Sequence, residues 1–126
     1  MTNALRMDDP FVNEKGEPNL ERYKELFGFS NLGSELSKIL EVNPSSIRQV
    51  HSIRLMNNDK FLEIKYIASA LYSNFKDLNK CRQWLNSQRD DWFGNSPMDL
   101  IRKGQVSSVT RYLKQSLHPE GTGFNG

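Results

Sequence analysis

Phe61, Ile64, Ile67, Ala68, Leu71 and Phe75 fall three or four positions apart, the spacing that lines one face of an α-helix. A stripe about four turns long has to be buried against other elements, and the segments that follow offer partners of the same kind. Leu78, Cys81, Trp84 and Leu85 form a second stripe behind Asp77, a residue suited to cap a helix N-terminus. Val106, Val109, Leu113 and Leu117 form a third. Between them Ser96-Pro97 offers an N-cap with Pro at the first helical position, and Asp99 stands in the first turn, where the helix dipole favours a negative charge. That short helix ends at Gly104. No segment of four or more residues alternates in the strand manner between hairpin turn pairs. The sequence therefore predicts an all-α protein of six to seven helices.

The first half is less regular. Residues 1–19 contain Pro10, Gly16 and Pro18 without sustained periodicity and read as a flexible arm. Leu20, Tyr23, Leu26 and Phe27 then mark an amphipathic helix, with Asn19 as its expected N-cap and Gly28 as its stop. FSNLGS, residues 29–34, reads as a connection. A second helix is expected from Ser34 or Glu35, with Leu36, Ile39 and Leu40 on one face. A third begins at Asn43-Pro44 and carries Ile47 and Val50 inward. Residues 20–60 and 61–117 read as two units, followed by a flexible tail at 118–126.

Composition narrows the classes. Hydrophobic residues make up 37 % and charged residues 25 %, too apolar for wholesale disorder. No apolar run approaches the roughly 18 residues of a membrane span, and MTNALRMDDP lacks the apolar stretch of a secretory signal. The single Cys81 rules out an intramolecular disulfide and fits a reducing, cytoplasmic setting. The net charge of +2 conceals −3 over residues 1–35, +2 over 36–60 and +3 over 61–126. Such a mild excess means that any nucleic-acid binding needs a dimer or a few well-placed contacts.

Chemistry-bearing patterns are sparse. His51 and His118 stand far apart, and neither neighbours a carboxylate or cysteine at metal-ligand spacing. Cys81 reads as a small buried hydrophobe. No glycine-rich phosphate loop is present, and the doublets Asp8-Asp9 and Asp90-Asp91 have nothing converging on them. The expectation is a protein without catalytic activity, metal or cofactor.

Two constellations point elsewhere. LSKILEVNPSSIRQV, residues 36–50, places Leu36, the small Ser37, Leu40, Val42, Ile47 and Val50 around a turn. It resembles the helix-turn-helix of Xre or lambda-repressor type. That resemblance implies that Ser45, Ser46, Arg48 and Gln49 face DNA from the second helix, with Arg54 on the backbone. It also implies a homodimer on paired half-sites of operator DNA. The family usually has Gly where Glu41 stands, and a left-handed residue with a Cβ carries a steric cost of about 1–2 kcal/mol.

The second constellation spans Cys81 to Leu113. A helix ending in Trp84-Leu85, a loop with Gly94, a helix led by Pro97 with Leu100-Ile101, then Gly104 and a helix with Val109 and Leu113 follow in order. With the helix before it, this resembles the C-terminal toxin-binding domain of the Xre/MbcA/ParS antitoxins, partners of RES-domain toxins. The order of the two pieces matches that family too. Trp92-Phe93 stand before Gly94 where the family more often has smaller residues, and the tail is longer.

The resemblance implies an antitoxin that binds a toxin acting on NAD and covers its cleft with the C-terminal end, while repressing its own operon. Trp92, Phe93, Gly94, Pro97, Met98, Arg111 and Lys114 are then the candidate toxin contacts. Trp92 and Phe93 lie in a loop: one of them exposed beside Met98 and Leu100 provides an aromatic anchor, whereas both buried makes them core. The alternative function is a stand-alone helix-turn-helix regulator whose C-terminal bundle only dimerises.

Overall fold

The computed structural model describes residues 10–12, 14, 16, 18–43 and 58–117. The protein is all-α. Six α-helices lie within these residues: α1 (Leu20–Phe27), α2 (Leu32–Leu40), α3 (Asp59–Phe75), α4 (Leu78–Leu85), α5 (Pro97–Arg102) and α6 (Val106–Leu117). A single 3-10 turn, Asp90–Trp92, precedes α5. Among the described residues the β pairing amounts to one isolated antiparallel bridge, Val12 to Pro18. The second helix of the expected helix-turn-helix, with Ser45, Ser46, Arg48, Gln49 and Arg54, lies outside the described residues, as do residues 1–9 and 118–126.

Local chemistry sets the helix ends. Asn58 Oδ1 accepts from the Phe61 N–H at 2.9 Å and starts α3. Asp77 Oδ1 accepts from the N–H groups of Asn79 and Lys80 at 2.7 and 3.3 Å and starts α4. Both are side-chain caps that satisfy otherwise orphaned donors. Two starts differ from expectation. Asn19 makes no side-chain cap; its carbonyl accepts from Arg22 and Tyr23, while its own N–H donates to Phe11 O at 2.8 Å. And α2 begins at Leu32, because Asn31 Oδ1 accepts from Ser34 N–H at 3.0 Å and Glu35 reaches back to the N–H groups of Ser30 and Asn31. The reciprocal cap carries the helix through Gly33.

α3 is the central element. Phe61, Ile64, Ile67, Ala68 and Leu71 are buried as the periodicity requires. Its main partner is α6, which buries Val106, Val109 and Leu113 against it. Glu63 fastens the pair by accepting from Ser107 Oγ at 3.0 Å and Thr110 Oγ1 at 3.2 Å. α1 packs on α4, and Arg82 Nη1 donates to Glu25 O at 2.8 Å across that contact. α2 packs on α5, with Glu35 and Arg102 3.8 Å apart. Residues of both expected units thus share one buried cluster, from Tyr23 and Leu36 to Ile101 and Leu113.

The reading of residues 1–19 as an arm misses one anchor. Phe11 is fully buried, its ring 5.3 Å from Tyr23 and 6.0 Å from Tyr72. Cys81 is buried as expected. Burial pushes its thiol up to about 11, so it stays protonated and poorly nucleophilic near neutral pH. No helix among the described residues is long and apolar enough to cross a membrane.

Candidate partner-binding site

The loop between α4 and α5 is closed on itself by backbone hydrogen bonds. Arg89 N–H donates to Asn95 O at 3.0 Å, and Arg89 O accepts from Trp92 and Gly94 at 3.1 and 2.9 Å. Phe93 N–H donates to Asp90 O at 3.0 Å, and Asn95 donates to Trp92 O through its backbone N–H and its Nδ2. Closing so short a circuit requires left-handed backbone at both Phe93 (φ 56°) and Gly94 (φ 85°). Gly94 adopts this readily; Phe93 does so against the steric preference of its Cβ.

Aromatic packing holds the base of the loop. The Arg89 guanidinium lies 5.3 Å from the Trp84 ring centroid and 4.6 Å from that of Tyr112. Trp92 stands edge-on to Tyr112 at 5.1 Å. Arg89 Nε is buried with no hydrogen-bond partner, so the two ring faces are what favour the cation there. This half of the cluster was not legible in advance. Arg89 sits in a loop, and Tyr112 lies on the flank of the Val109–Leu113 stripe; only the fold brings them to Trp84.

The aromatic pair therefore splits. Trp92 is half-buried against the core, whereas Phe93 is 97 % exposed. Pro97 and Met98, expected as contacts, are buried in the first turn of α5. They face the core because Ser96 and Asp99 close a capping box that fixes that turn: Asp99 N–H donates to Ser96 Oγ at 3.1 Å and Ser96 N–H to Asp99 Oδ2 at 2.9 Å. The Ser96 N–H holds the Asp99 carboxyl below the ordinary range. Arg111 and Lys114 are exposed on α6, with Lys114 Nζ 5.4 Å from the Tyr66 ring centroid. No hydrogen bond or ion pair among the described residues joins either of them to the loop.

The other candidate region is described only up to Asn43. Leu36, Ser37 and Leu40 are buried, Val42 packs on the core, and Val42 N–H donates to Ser37 O at 3.0 Å. Glu41 is left-handed at φ 59°. This is a Schellman-type helix end with Glu in the glycine position. The Glu41 carboxylate accepts from Lys60 Nζ at 2.9 Å, and that hydrogen bond draws its carboxyl below the ordinary range.

The site offers an apolar tip, exposed cations on α6 and a braced aromatic base. No family model matches the chain, and neither a curated protein nor a solved structure matches it.

Proposed function

We propose that the chain is the antitoxin of a type II toxin–antitoxin pair, and that it neutralises a RES-domain toxin acting on NAD by occluding the active-site cleft with its C-terminal region. The observation that supports this reading most is the disposition of the Trp84–Lys114 segment. Its regularly spaced apolar residues, Leu85, Ile101, Val109 and Leu113, are spent on the core, while Phe93, Arg111 and Lys114 are left outward. That is the distribution a docking surface needs.

On this reading α6 approaches the cleft, and the cations at Arg111 and Lys114 occupy the space that the anionic pyrophosphate of NAD requires. No bond is made or broken by the antitoxin; occupancy is enough. The segment between α2 and α3 binds operator DNA through Ser45, Ser46, Arg48, Gln49 and Arg54, and a homodimer supplies two copies for paired half-sites.

The test is co-expression with the product of the adjacent reading frame, following growth and NAD level. Wild type is expected to restore both. Arg111→Glu with Lys114→Glu is expected to restore neither while remaining folded by circular dichroism. A cut before Val106 is unsuitable, since Val106, Val109 and Leu113 belong to the core. A neighbour that leaves NAD and growth untouched overturns the antitoxin reading in favour of a stand-alone regulator.

A further inference from the structure

Phe93 is a large apolar side chain that the fold does not use. It is 97 % exposed and stands outside the buried cluster and the residues packed against it. Its backbone is nevertheless held in one place, because the hydrogen bonds around it are made by residues whose own positions are fixed by the Trp84–Arg89–Tyr112 stack. An apolar side chain carried outward on a fixed backbone is the form that interface anchors take, since the loop itself has little freedom left to lose on binding.

Its surroundings specify the partner's chemistry. Asp90 and Asp91 are exposed beside it, and neither forms an ion pair with a described residue. The cations of the loop and its flank are engaged elsewhere, Arg89 over the rings and Lys103 Nζ at 3.4 Å from Asn95 Oδ1. The tip therefore presents a benzyl group beside two free carboxylates. We infer that Phe93 enters an apolar pocket on the toxin whose rim carries Lys or Arg side chains that meet Asp90 and Asp91. This inference rests on the antitoxin reading. It assigns Trp92 to bracing the loop and Phe93 to the contact.

The experiment measures binding of the full-length chain to the purified product of the adjacent reading frame at two salt concentrations, alongside thermal unfolding of each variant alone. Asn tolerates left-handed backbone, so Phe93→Asn is expected to melt within about 3 °C of wild type. The same variant should weaken binding by about 30-fold or more. Asp90→Lys with Asp91→Lys is expected to slow association and to reverse its salt dependence. Phe93→Asn binding within about threefold of wild type moves the anchor elsewhere and overturns the inference while leaving the antitoxin reading intact. A large fall in melting temperature overturns it too, by making Phe93 a fold residue. If Phe93→Asn instead dissociates a dimer and leaves toxin binding unchanged, the occupant is a second copy of this chain and the inference is wrong. A wild-type chain that does not bind the neighbour overturns the antitoxin reading, and the named pocket with it.

Discussion

Glu41 holds a backbone conformation that its side chain opposes, and one hydrogen bond from Lys60 accompanies it. The two effects act in opposite directions on a substitution. The ion pair is largely exposed, where such pairs contribute little, whereas left-handed strain does not depend on solvent. Relief of strain should therefore win. Glu41→Gly is expected to raise the melting temperature by about 2–4 °C, and Glu41→Ala, which keeps the strain and loses the bond, to lower it. A scan of the three proteins side by side decides the matter; a lower value for the glycine variant would show that Lys60 matters more than the strain. The left-handed turn could be anticipated at this position from the resemblance alone. Its Lys60 partner could not, because the two residues are 19 positions apart and meet only when α3 crosses the end of α2.

At the scale of elements, the helices whose ends depend on their own side chains were the most legible. Asp77 and Ser96-Pro97-Met98-Asp99 announce their caps within four residues, and the structure uses them. The start of α2 was not legible, because Gly33 and the polar residues around it look like a connection unless Glu35 is known to fold back. The capping box makes a prediction with a sign. Ser96→Ala removes the acceptor for Asp99 N–H and should cost about 1 kcal/mol. Asp99 has its carboxyl lowered in the folded state, so its contribution is present above the ordinary carboxylate range and disappears as pH falls through the lowered value. Asp99→Asn should accordingly destabilise the protein at neutral pH, by a gap that narrows at acid pH. Urea unfolding at both pH values checks this; a gap that widens in acid would contradict the assignment.

For the whole molecule, the local pattern specified which faces are apolar but not which faces meet. The stripes on α3, α4 and α6 could be read directly, yet the packing of α1 on α4 and of α2 on α5 is tertiary information. Phe11 shows the limit most clearly. A lone aromatic among Pro and Gly has no periodicity, and only the bond from Asn19 N–H to Phe11 O and the rings of Tyr23 and Tyr72 reveal its place. Phe11→Ala is expected to cost about 3 kcal/mol, read as a shift of the urea midpoint at unchanged slope. A change below about 0.5 kcal/mol, the range of surface substitutions, would mean that the segment around Phe11 contributes little in solution. The α4–α5 loop carries a different consequence. Its shape is kept by main-chain groups and by rings beneath it, so the side chains at positions 90 and 91, and at the left-handed position 93 those that tolerate that backbone, can change with little penalty to folding. Selection can then rewrite them within that limit, and duplicated copies of such a protein diverge in the surface they present after three substitutions, each intermediate remaining a well-folded chain.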